Sequence, residues 1–117
     1  MDMDKKEILE VYGEDALRVD RYGKVYRDLR KRVNRADVAV RGLVHNLDRI
    51  AELEQYLDSG EWLKDFEADE RGEFSPEICR DAMTEDAVYD LLEDVGDLRK
   101  EMALLVRKLR LLHPLGR

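Results

Sequence analysis

The sequence predicts an all-α protein, a long antiparallel helical hairpin with one or two short helices in its connector. Three observations predict it. Two long segments carry apolar residues at alternating steps of three and four, the rhythm of helices that pack along their length. Charged residues make up 42% of the 117 positions and only two prolines occur, a balance that favours long amphipathic helices over disorder. The two apolar series also match one another when one is reversed.

The first series runs Tyr22, Tyr26, Leu29, Val33, Ala36, Val40, Leu43, Leu47, Ile50 and Leu57, with only Glu54 out of step. The second runs Val88, Leu91, Val95, Leu98, Met102, Leu105, Leu109 and Leu112 without a break. Folding the chain back pairs Leu57 with Val88, Ile50 with Val95, Leu47 with Leu98 and Leu43 with Met102. Val40 then meets Leu105, Ala36 meets Leu109, and Val33 meets Leu112. Glu54 falls opposite Leu91, at the seam edge near the tip and within reach of water. A slide of one heptad preserves the phase, so the register is a preference among alternatives. In this register Tyr22, Tyr26 and Leu29 extend beyond Leu112. Two solutions are open: a short helix within residues 4–17 that folds back near Gly13 or Val19–Gly23, or a second chain. A single helix pair has a thin core, so a homodimer with a four-helix arrangement is expected.

The chain reads as one helical domain over 1–117. Residues 1–17 form an N-terminal extension or short helix, 18–58 a long helix, 59–83 an acidic connector with short helices, and 84–113 a second long helix. Ser59-Gly60 ends the first long helix and opens a short one from Glu61 to Glu70, which Gly72 stops. Ser75-Pro76-Glu77 predicts a further short helix through Asp81. Thr84 before Glu85 and Asp86 reads as an N-cap with acids in the first turn. Lys108 and Arg110 occupy the last turn, and Pro114 and Gly116 end the helix. Gly23, Gly42 and Gly96 fall inside helical pattern; each is read as a tolerated exposed glycine, with close helix approach as the alternative.

Charge is strongly segregated within a net −7. Residues 18–49 carry ten Lys/Arg against four Asp/Glu, whereas residues 50–97 carry three against seventeen. Such blocks bear on association and solubility. The single Cys79 excludes an internal disulfide. The first residues lack the apolar core of a signal peptide, and no apolar run approaches a membrane span. A cytoplasmic protein with no membrane association is expected.

The candidate interaction tip is the connector: Trp62, Asp65, Phe66, Glu67, Asp69 and Glu70. Asp65, Glu67 and Asp69 alternate like the first three ligands of a calcium-binding loop. The sixth position of such a loop is here Glu70 instead of Gly, and the twelfth is Pro76 instead of an acid. A solvated acidic face is therefore the favoured reading, and no metal or other cofactor is expected. Trp62 and Phe66 share a helix face with Phe74 and Tyr89 nearby; aromatic residues so spaced more often build a core than a recognition surface. The candidate basic patch is Arg27, Arg30, Lys31 and Arg35 with Arg107, Lys108 and Arg110, which antiparallel folding would gather at the open end. Such a cluster can neutralise phosphates, but acids interspersed at Asp28 and Asp37 favour an ordinary soluble face. No nucleophile–base pair, zinc spacing or phosphate-binding glycine loop is present, so no catalytic residue is assigned.

The runs Leu53-Glu54-Gln55-Tyr56, Ser59-Gly60-Glu61-Trp62, Asp65-Phe66-Glu67-Ala68-Asp69-Glu70 with Gly72, and Glu85-Asp86-Ala87-Val88-Tyr89-Asp90-Leu91-Leu92 resemble an uncharacterised bacterial family of small all-α proteins, a domain of unknown function. The resemblance covers Arg49 to about Val106. It departs at Asp81-Ala82-Met83-Thr84, where a Gly-Val-Leu-Ser-like stretch is expected, and residues 1–17 look unusual for the family. It implies an all-helical bacterial protein with no established activity and carries no site residue. Together these readings predict a non-catalytic interaction or scaffolding protein with an unknown protein partner. A nucleic-acid-associated factor using the basic end is the less favoured alternative.

Overall fold

Asp4 opens the first helix: its carboxylate accepts the Glu7 backbone N–H at 2.8 Å, which satisfies an otherwise orphaned donor. That bond holds the Asp4 carboxyl below its usual range. The computed structural model describes residues 2–112, and among them every regular element is helical. The α-helices are α1 (Lys5–Tyr12), α2 (Glu14–Val44), α3 (Leu47–Asp58), α4 (Glu61–Glu70) and α5 (Ala87–Arg110); a 3₁₀ turn at Asp81–Met83 precedes α5. The chain forms two units, one up to Asn46 and one from Leu47.

In the first unit α1 packs on the start of α2. Gly13 makes the reversal possible, because its φ of 87° with ψ of −175° lies in a region that side chains exclude. Ile8 is the buried residue of this contact, at 5% exposure, with Ala16 and Leu17 half-buried beneath it. The segment within 4–17 therefore folds back at Gly13. Beyond Asp20, every residue of α2 counts as exposed until Leu43.

The segment read as one helix over 18–58 is two helices. No proline or glycine marks the break, at His45 and Asn46. Instead the Asn46 side-chain Nδ2 donates to the Gly42 carbonyl at 2.7 Å, and the Asn46 backbone N–H bonds Leu43 only three residues back. An asparagine that competes for helix carbonyls in this way ends the regular ladder.

The second unit is built from α3, α4, the 3₁₀ turn and α5. Helix α3 packs on α4 and on α5, and the 3₁₀ turn packs on both α4 and α5. Trp62 and Val88 are its buried apolar residues, at 5% and 2% exposure. Gly72 stops α4 with φ 74°; its N–H bonds Asp69 at 2.9 Å while the Glu73 N–H bonds Ala68 at 3.2 Å, the paired bonds of a Schellman cap. The predicted seam is kept in part, with Val88 buried and Ile50, Leu57, Val95 and Met102 half-buried, but the buried faces also depart from it. On α3, Leu53 is half-buried and Glu54 exposed; on α5, Leu92 is half-buried while Leu91 and Leu98 are exposed. A strict heptad stripe describes a two-helix seam, but α3 and α5 must also meet α4 and the 3₁₀ turn, which widens and turns the apolar face.

Two expected elements differ. The short helix predicted from Ser75 to Asp81 is a turn: Ser75 accepts the Ile78 N–H through its carbonyl at 3.0 Å and the Glu77 N–H through its hydroxyl at 3.2 Å, and the chain then leaves the helical path. Helix α5 begins at Ala87, after Asp86; Thr84 is extended (ψ 150°), as a capping residue would be, but its hydroxyl caps no N–H and only its carbonyl contributes, to the Ala87 N–H. The stop signals at Pro114 and Gly116 lie outside the described residues.

A Cβ built on Gly23, Gly42 or Gly96 meets nothing within 4 Å, so none of the three is a close helix approach. Gly23→Ala is expected to stabilise the protein by about 1 kcal/mol, whereas Gly13→Ala should strain the reversal and free α1. Thermal unfolding checks the first, and faster amide exchange across Lys5–Tyr12 checks the second.

Candidate functional site

Helix α4 presents Trp62 and Phe66 one turn apart, and their rings stack at 5.1 Å with planes 16° from parallel. Tyr89 of α5 meets the Trp62 indole edge-on at 6.0 Å. The indole N–H donates to the Ala82 carbonyl of the 3₁₀ turn at 2.8 Å. A buried indole needs such an acceptor, and here a backbone carbonyl freed from helix pairing supplies it. Trp62 is thus an internal post joining α4, the 3₁₀ turn and α5, while its neighbours Phe66, half-buried, and Tyr89, 55% exposed, reach the surface.

The acids of α4 divide into two groups. Asp65 accepts the Tyr56 hydroxyl at 2.6 Å and ties α4 to α3. Partial burial, reinforced by this carboxylate and by Glu61, pushes the Tyr56 phenol up to about 12. Asp69 accepts the Arg80 guanidinium at 2.9 Å, with the Asp69 side chain only 15% exposed, and so anchors the loop that follows the turn at Ser75. Glu67 and Glu70 are exposed. Of the six predicted tip residues, Trp62, Asp65 and Asp69 therefore hold the second unit together, and Glu67 and Glu70 face solvent. Among the described residues no group of three or more His, Cys, Asp or Glu is placed to hold a metal ion.

A cleft of about 290 Å³ lies beside these pairs, lined by Tyr56, Asp65, Phe74, Ile78, Cys79, Arg80 and Met83. Cys79 is exposed at its edge. Tyr56 and Arg80 are the members that sequence reasoning passed over; Arg80 stands eleven residues from Asp69, beyond any local spacing rule.

The candidate basic residues fall on two helices. On α2, Arg27 lies 3.9 Å from Asp2, Arg32 bonds Asp28 at 2.9 Å and Arg41 bonds Asp37 at 3.0 Å. Arg30, Lys31 and Arg35 form no ion pair among the described residues. Arg107, Lys108 and Arg110 occupy the last turn of α5, where the helix dipole favours cations. A separate groove of about 650 Å³ beside α1 has Leu9, Leu17 and Tyr22 in its lining, with both basic residues, such as Lys5 and Arg21, and the acids Glu14 and Asp20 around them.

Residues 19–105 match the family described as Domain of unknown function (DUF4298). The chain belongs to this family. The DUF4298 match begins within α2 and ends within α5, so it takes in the Trp62 cluster and the whole apolar stripe of α2, and leaves α1 outside. No curated protein and no solved structure matches the chain.

Trp62→Ala is expected to cost about 3–5 kcal/mol, the usual range for removing a buried aromatic side chain, read as loss of α-helical signal at lower denaturant concentration. Because the Tyr56 phenol is raised in the folded state, its contribution is complete below its ordinary value of 10.0 and is lost as pH climbs through about 12. Unfolding of Tyr56→Phe, followed across that interval, should depend less on pH than that of the unaltered chain.

Proposed function

We propose that this DUF4298 chain is a non-catalytic, cytoplasmic interaction or scaffolding protein that binds its partner through the apolar stripe of α2. The observation that carries this reading is the stripe's exposure. Tyr22, Tyr26, Leu29, Val33, Ala36 and Val40 lie at successive steps of four and three; all are exposed, the five larger ones by 42–65%. Single exposed apolar residues are ordinary on protein surfaces, but a continuous row along one helix is the form in which helices bind one another. Packing of α2 against α5, as the reversed apolar series match, is the alternative use of the same row. The acidic tip is the weaker candidate surface, because Trp62, Asp65 and Asp69 are engaged within the second unit. In keeping with this reading, no helix among the described residues is long and apolar enough to cross a membrane.

One observation favours the second reading, a nucleic-acid-associated factor. Arg30, Lys31 and Arg35 are close together on α2 and carry no ion pair among the described residues, so they are available to phosphates. Against it stands the net charge of −7, which lowers non-specific attraction to a polyanion.

A photo-crosslinking residue in place of Val33 should form a protein adduct in the native cell, and one in place of Lys31, away from the stripe, should not. Absence of any protein adduct at position 33 would remove the interaction reading. Retention of duplex nucleic acid that falls steeply with added salt would put the second reading in its place.

A further inference from the structure

We propose that the occupant of the α2 stripe is the same stripe of a second copy of this chain, running antiparallel, with Val33 opposite the second copy's Ala36. This rests on the interaction reading above and names its partner. In this register Leu29 lies opposite Val40 of the second copy and Tyr26 opposite its Leu43; two-fold symmetry repeats each pair.

Charge complementarity selects the arrangement. Arg30 follows Leu29 on one flank of the stripe, and Asp37 follows Ala36 on the same flank. In an antiparallel pair this flank faces its own counterpart, and the stated register sets Arg30 beside the second copy's Asp37, twice per dimer. Arg30 has no ion pair among the described residues. Among the described residues Asp37 is paired with Arg41 of its own helix alone, at 3.0 Å, through side chains 54% and 72% exposed. Both groups can therefore engage across the interface without breaking a buried contact.

Packing favours the same choice. A parallel, in-register pair would set Ala36 against Ala36 and Tyr26 against Tyr26, leaving one layer hollow and crowding another. The antiparallel register instead sets Ala36 against Val33 and Tyr26 against Leu43, so the layers are more even in volume. The chain's own α5 is a poorer occupant. In the reversed match of the two apolar series, Leu112 reaches only as far as Val33; a slide of one heptad would cover Tyr26 and Leu29, but neither register puts an acid beside Arg30, because residues 102–117 contain none.

Sedimentation equilibrium of the full chain tests this. The unaltered protein should sediment at twice 13.8 kDa. Arg30→Glu and Asp37→Arg should each weaken association about tenfold, since each turns two attractive pairs into repulsive ones. The double exchange Arg30→Glu/Asp37→Arg should restore it. All these substitutions are at exposed helical positions, and helical content measured alongside keeps folding separate from association. A 13.8 kDa species at high micromolar concentration overturns the proposal. So does a double exchange no tighter than either single one. If the chain is monomeric but position 33 still crosslinks to a protein of another mass, the self-pairing fails and the interaction reading stands. If position 33 crosslinks to nothing, both fail.

Discussion

The second unit depends on one indole. Trp62 is the sole tryptophan of the chain, and its ring fills the space between α4 and α5 while its N–H reaches the Ala82 carbonyl. Without that bond the 3₁₀ turn would bring a bare carbonyl against an apolar wall, at the desolvation cost of an unpaired polar group. The bond also explains why the connector is not a longer helix. A helix through Ala82 would spend its carbonyl on the backbone ladder and leave the buried indole without an acceptor. Asp65 and Asp69 serve the same end from further along the same face of α4, one reaching back to Tyr56 and the other forward to Arg80. The most acidic run in the sequence is thus partly an internal fastening.

The first unit poses the opposite problem. Its α2 is 31 residues long, yet α1 covers only its first turns. A helix of that length draws most of its stability in a folded protein from a packed apolar face, and the ion pairs Arg32–Asp28 and Arg41–Asp37 supply only a few tenths of a kcal/mol each. The uncovered row and the half-paired charges beside it therefore belong to one physical question, which is what excludes water from Tyr26 to Val40. The family match includes all of this row and stops short of α1, so the question concerns the family segment itself.

The periodicity of apolar residues made the helices legible, and Gly60 and Gly72 marked both ends of α4 because glycine is the residue that leaves a helix at little steric cost. What escaped were effects that need a third dimension. The break at Asn46 comes from a side chain that competes for a carbonyl, in a stretch where the apolar rhythm continues undisturbed. The exchange of Glu54 for Leu53 in the buried face reflects a third element beside α3, and a two-helix pattern has no place for it. Trp62, Phe66 and Tyr89 were identifiable as neighbours, but the division of the acids into fastened and free ones was not. It is decided by Arg80 and Tyr56, which lie far from the acidic run or outside its spacing.

The exposed thiol of Cys79 has a practical consequence. Tryptophan and cysteine each occur once in the chain, and both fall in the second unit. Excited at wavelengths that tyrosine does not absorb, the indole alone would pass energy to a dye attached to the sulfur, without any substitution. The natural sequence thereby contains a matched donor and attachment point on the second unit, through which its loosening can be followed optically while the first unit stays silent.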